Sequence, residues 1–174
     1  PPPPPPPSQT IPVDFGDAPI SYSTMLANNG ARHRTGTAIY LGRCVDSETD
    51  GQPAQGARSD DTSIGSNTVG VCAQSGDDED GVVFPTTLTV GTTVSLDVNA
   101  HAAGLLSAWI DWNIDGDWND SGEQIFSNQL MMAGANRPNI TVPTSATVGS
   151  PYARFRFSTQ SNLSTTGEAG DGEV

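Results

Sequence analysis

Asp111, Asn113 and Asp115 occupy every second position ahead of Gly116, and Asp117 and Glu123 follow within the next seven residues. Oxygen-bearing side chains at that spacing in a turning chain face one point, as a hard divalent cation requires. Calcium takes about six to eight oxygens at about 2.3–2.6 Å, and the pattern D-x-N-x-D-G wraps them around a single centre. Gly116 permits the sharp turn, and the carbonyl of Asp117 with the carboxylate of Glu123 completes the set. Five acids lie between Asp111 and Glu123, and they repel one another unless something neutralises them. These residues predict a calcium site made by Asp111, Asn113, Asp115, Asp117 and Glu123. The competing reading is a solvated polar turn between two strands.

The elements around the loop are strands. Ala108, Ile110 and Trp112 alternate with Trp109, Asp111 and Asn113, a period of two that leads into the loop. Gln124 to Met132 leaves it as the expected partner strand. An EF-hand does not fit: the closing glutamate stands one place late, Gly122 holds its usual position, and Ser121-Gly122 opposes a departing helix. Downstream of Val82 the chain reads as antiparallel β, with short runs at 82–84 and 88–90. Thr93 to Asn99 follows, with Val94, Leu96 and Val98 inward, and then 139–143 and 152–159. In the last run Ala153, Phe155 and Phe157 share one face. Arg154 and Arg156 share the other, either paired with carboxylates or solvated. The expected fold is all-β, an antiparallel β-sandwich of jelly-roll or immunoglobulin-like type with long calcium-braced loops.

The 174 residues suffice for one domain with a core, plus an arm. All seven basic residues are arginine and twenty are acidic, for a net charge of −13. Nucleic acid and anionic membrane surfaces are poor partners for such a chain, and no apolar run approaches the length of a membrane span. Self-repulsion of this size opposes compaction, and each bound divalent ion would offset two charges. Cys44 and Cys72 are either separate thiols or a disulfide; an acidic, turn-rich chain of secreted type favours the disulfide.

Pro1, Pro2, Pro3, Pro4, Pro5, Pro6 and Pro7 form an unbroken run that favours polyproline II. It reads as a stiff linker, as an arm packed on a neighbouring subunit, or as a carrier of attached sugar. Ser8, Gln9, Thr10, Ile11, Pro12 and Val13 continue extended and are suited to add as a strand to another copy's sheet edge. Residues 1–13 are therefore expected to be an arm and 14–174 a domain. The chain opens on proline and shows no signal peptide, which reads as a processed chain or a piece of a longer one. Residues 46–81 are loop-like and long enough to need bracing. There Asp78 and Asp80, with Asp60, Asp61, Asp14 and Asp17 as distant partners, make a candidate second calcium site; the plain alternative is a solvated charge run. One to three calcium ions are expected in all. Asn119, Asn139 and Asn162 head N-x-S/T sequons; Asn139 and Asn162 are the glycosylation candidates, because Asn119 falls inside the calcium loop.

No catalytic pattern emerges. His33 and His101 are isolated, His33 lies between arginines that depress its pKa, and no nucleophile elbow, zinc helix or phosphate loop is present. Paired acids alone would suit a glycosidase, but these sit in turns at ligand spacing. The expectation is that the protein is not an enzyme.

Several stretches in order resemble the bacterial GEVED domain family. They are Asp14-Phe-Gly-Asp-Ala-Pro19, Ala31-Arg-His33, Leu41-Gly42 and Asp46-x-Glu48-x-Asp50-Gly51. Asp77-Asp-Glu-Asp-Gly-Val82, Ala108-Trp-Ile-Asp-Trp-Asn113 with Asp115-Gly-Asp-Trp118, and Tyr152 to Thr159 follow. Gly172-Glu-Val174 begins the motif that names the family. The resemblance spans about residues 14–174 and implies a β-sandwich module of secreted and surface proteins, tied to adhesion and surface architecture, without catalytic residues. The expected function is thus a non-enzymatic, extracellular or cell-surface calcium-binding structural module, a repeating filament subunit whose partners are copies of itself. The alternative is an adhesin or carbohydrate-binding domain in which a calcium ion, or Trp109 and Trp118, contacts glycans. For both tryptophans packing in the core or loop is the plainer role.

Overall fold

The computed structural model describes residues 11–59, 66–72, 80–85 and 87–174. Pro1 to Pro7, Ser8, Gln9, Thr10, Asp60, Asp61 and Asp78, singled out above, lie outside the described residues. The chain is all-β. Its strands are β1 (Val13–Phe15), β2 (Arg32–Arg34), β3 (Cys44–Ser47), β4 (Ser66–Gly70), β5 (Val82–Val83), β6 (Thr93–Ser95) and β7 (Asp97–Ala100). Then come β8 (Gly104–Ile110), β9 (Gln124–Met131), β10 (Gly134–Asn136), β11 (Asn139–Thr141), β12 (Ala153–Ser158) and β13 (Glu168–Ala169). The helical content of the described residues is two one-turn 3-10 helices, Ile20–Tyr22 and Leu26–Asn28. No helix among the described residues is long and apolar enough to cross a membrane.

The central strand is β8, flanked by β12 and β9, both antiparallel to it. In register Ala153 faces Ile110, Phe155 faces Ala108 and Phe157 faces Leu106, which stacks the apolar positions of β12 and β8 on one side. These join Leu96, Val98, Ala100, Phe126, Met131, Ile140, Val142 and Leu41 in the main core. The core thus draws on β7 and β11 as well as on the β12-β8-β9 sheet. The alternation read over Thr93–Asn99 holds, with Leu96 and Val98 buried, although the strand breaks at Leu96 into β6 and β7.

The opposite face of β8 is covered too, which the alternation did not anticipate. Trp109 packs with Trp118, Tyr22 and Ala18 in a second cluster, and Tyr152 closes it. Arg154 and Arg156 lie across from Trp109 and Ser107 on that same face. Both arginines are buried, so neither is solvated.

The loop-like stretch after residue 46 is pinned by the pairing of β3 with β4 and by the Cys44–Cys72 disulfide. In the chain-entropy treatment a closed loop of this size stabilises by about 3–4 kcal/mol. Cys44→Ala/Cys72→Ser is expected to lose about that much in urea unfolding; a loss below about 1 kcal/mol would show that β3 and β4 hold without the bond. The end of the expected arm belongs to the fold: Val13 pairs with Arg34, and the Pro12 carbonyl accepts the Thr35 N–H at 3.1 Å. Ile11 remains exposed.

Candidate metal centre

The loop begins where β8 ends and finishes where β9 begins, and the Ile110 N–H donates to the Glu123 carbonyl at 2.9 Å to close its base. Within it, side-chain oxygens accept backbone N–H groups two to five residues on. Asp111 Oδ1 takes Ile114 at 2.6 Å and Asp115 at 3.2 Å, and its Oδ2 takes Gly116 at 2.9 Å. Asn113, Asp115 and Asp117 take the N–H groups of Asp115, Asp117 and Asn119 in turn. Each such bond curls the chain a little further, and Gly116 sits at φ +97°, a region open to glycine at little cost. Short polar side chains at alternate positions therefore wind the loop tightly.

Glu123 closes the loop immediately before β9 and is only 2 % exposed. Its Oε2 accepts the Asp120 N–H at 3.1 Å, while Oε1 is buried without a hydrogen-bond partner among the described residues. Burial pushes its pKa up, and the nearby charges of Asp111, Asp120 and Asp115 push the same way, against the opposing Asp120 N–H. A buried carboxylate oxygen with no donor, among like charges, is costly unless a cation meets it. Among the described residues no three His, Cys, Asp or Glu side chains converge in a cluster ready-made for a metal ion. The loop carboxylates are instead bonded to their own backbone. The donor set is nevertheless wholly oxygen, as a hard cation prefers, and the unmatched Glu123 Oε1 is an acceptor in need of positive charge. The residues fit calcium.

Two contributors escaped the sequence reading. Asp120 accepts the Asn113 amide at 2.6 Å and joins the acidic group around Glu123. Tyr22, 5 % exposed, donates its hydroxyl to Asp111 Oδ2 at 2.6 Å from 89 residues away. Asp120 lay within the motif in plain view, whereas no local pattern ties Tyr22 to the loop.

A family match bears on this stretch directly. The GEVED domain matches residues 105–174. Residues 105–174 belong to the GEVED domain family. No curated protein and no solved structure matches the chain. The GEVED match takes in β9, β12 and the loop whole, yet its boundary is not a structural one. β10 pairs with β7, β11 with β6 and β13 with β2, each across the start of the match.

The terminal segment of the GEVED match is held by the buried arginines. Arg156 donates to the carbonyls of Ser164, Thr166, Gly167 and Arg32, and its Nε–H donates to His33 Nε2 at 3.0 Å. Arg154 donates to the carbonyls of Thr165 and Tyr22 and lies over the Trp118 ring at 4.4 Å. Among the described residues, backbone carbonyls, with the Thr24 hydroxyl and His33, receive both forks. Burial, followed by the like charge of Arg156, pulls the Arg154 pKa down to about 9. That of Arg156 falls to about 10 through burial, with Asp14 opposing and Arg32 adding. His33, completely buried, holds its Nδ1–H on the Asp171 carbonyl at 2.7 Å. Gly172 must be glycine, since φ is +106° and a Cβ would overlap the Phe157 carbonyl.

Of the residues expected to form a second site, Asp14, Asp17 and Asp80 accept the N–H groups of Val174, Ser59 and Arg43. Asn139 is exposed on β11 and accepts the Ser95 hydroxyl. Asn162, also exposed, is locked with Asn128 by a pair of amide hydrogen bonds. Trp109 and Trp118 are both buried, so neither presents a face on which sugar can stack. The second cluster decides that, because Tyr22 covers Trp118 at a ring separation of 4.3 Å.

Proposed function

We propose that this protein is a non-enzymatic, extracellular calcium-binding structural module: an antiparallel β-sandwich that serves as the repeating subunit of a surface filament. The observation that carries the calcium part is the buried, donorless Glu123 Oε1 at the mouth of an all-oxygen loop. Asp111, Asn113, Asp115, the Asp117 carbonyl and Glu123 would hold the ion. When bound, calcium supplies positive charge that cancels the repulsion of the loop acids and ties β8 to β9. The chain's own residues set the loop's curl through their bonds to successive N–H groups and keep its base closed through Ile110 and Glu123.

An oxidising compartment suits the Cys44–Cys72 bond, which reducing cytosol would not preserve. The assembly part rests on the arm. Residues 1–11 carry no charge in a chain of net −13, so a like-charged copy does not repel them. A head-to-tail contact of this kind, left unclosed, builds a filament. Electron microscopy of the full chain in calcium is expected to show fibres, and deletion of residues 1–11 is expected to leave folded monomers. Fibres of the same length and stability from the truncated chain would refute arm-mediated assembly.

A further inference from the structure

The calcium reading leaves open how Asp111 is held, and the second core cluster supplies an answer. Tyr22 closes the 3-10 turn Ile20–Tyr22, far upstream of the GEVED match. Its hydroxyl is bonded to Asp111 Oδ2, its ring lies on Trp118 from the middle of the loop, and Ser21 flanks Gly116 at the turn. Behind it, the Tyr22 carbonyl accepts from Arg154, the same guanidinium that grips the Thr165 carbonyl and covers Trp118. The 3-10 turn is thus clamped between the loop and β12.

We propose that Tyr22 is the positioning residue of the calcium loop: it fixes the orientation of Asp111, so that affinity for the ion depends on a segment outside the family match. This rests on the calcium reading above. The loop's own N–H groups hold Asp111 from one side, and a buried hydroxyl bonded to Oδ2 from outside the loop removes further freedom before the ion binds. Outer partners of metal ligands typically contribute about 10–100-fold in affinity. The Phe ring of Tyr22→Phe keeps the packing on Trp118 and removes only the bond to Asp111.

The test is calorimetric titration of calcium chloride into chelator-stripped full-length protein, wild type and Tyr22→Phe, with melting of both in chelator. The expected result is calcium affinity about 10–100-fold weaker in Tyr22→Phe, with the chelated proteins melting within a few degrees of each other. A purely packing role would lower the melting temperature and leave the affinity alone. Equal affinities overturn the positioning role while leaving the calcium site standing; a wild type that binds no calcium overturns both. Should Tyr22→Phe fail to fold, 3-fluorotyrosine in the wild-type chain replaces it. The Tyr22 fluorine signal is expected to shift as calcium is added while that of Tyr40 stays, and a static Tyr22 signal overturns the inference.

Discussion

Glu123→Gln is expected to abolish the calcium-dependent part of thermal stability while raising the melting temperature of the chelated protein. The two effects have one cause. In the absence of an ion, Glu123 is a buried carboxylate whose Oε1 has no donor and whose neighbours are Asp111, Asp115 and Asp120. Glutamine keeps the shape and the acceptor for the Asp120 N–H, removes the charge, and offers an amide that the surrounding acids can accept. The chelated variant should gain about 1 kcal/mol. At calcium about 1,000-fold above the dissociation constant, the wild type should gain about 4 kcal/mol from the ion. In a chain of this size that corresponds to roughly 8–16 °C. Melting curves of both proteins in calcium and in chelator give all four values. A variant with the full calcium shift would remove Glu123 from the ligand set, and a wild type without any shift would remove the ion altogether.

The second large effect is expected at Arg156. Arg156→Leu leaves the carbonyls of Ser164, Thr166, Gly167 and Arg32 without this donor and deprives His33 Nε2 of its own. Each buried group left unsatisfied costs about 1–3 kcal/mol; with partial relaxation of the tail, the loss should reach about 4 kcal/mol. Lysine cannot rescue it, because a single ammonium does not reproduce a planar fork aimed at several carbonyls. Hydrogen exchange should show residues 163–174 losing protection first, and a variant with wild-type protection there would end the claim.

The same contact makes the fold acid-sensitive. Burial and then the Arg156 charge pull the His33 pKa down to about 3, against the Asp171 carbonyl and carboxylate. The folded state keeps His33 neutral, whereas the unfolded chain takes up a proton near its ordinary value of about 6.5. This contribution is therefore complete above about pH 6.5 and is lost as pH falls toward 3, at up to about 1.4 kcal/mol per pH unit. Urea unfolding of the calcium-replete protein between pH 6.5 and 5 should show that slope.

Local pattern determined much of this protein. A period of two over Ala108–Trp112 marks β8 and its inward face, because neighbouring side chains on a strand necessarily point to opposite sides. The D-x-N-x-D-G spacing marks the loop for a similar reason: short oxygen-bearing side chains at alternate positions bond the N–H groups just beyond them. Tertiary structure decided what lies outside that range. In sequence Arg154 and Arg156 are either paired with carboxylates or solvated, yet a second layer covers them and their forks find backbone carbonyls, most of them from the terminal segment. For Trp109 and Trp118 packing is the plainer role in sequence, but only the fold shows that Tyr22 and Arg154 are what seal them in. Tyr22 itself carries no motif, and only the return of the chain across 89 residues brings its hydroxyl to Asp111. Spacing along a chain reports which atoms a residue can reach within a few bonds; which distant group arrives to meet it is set by how the layers pack.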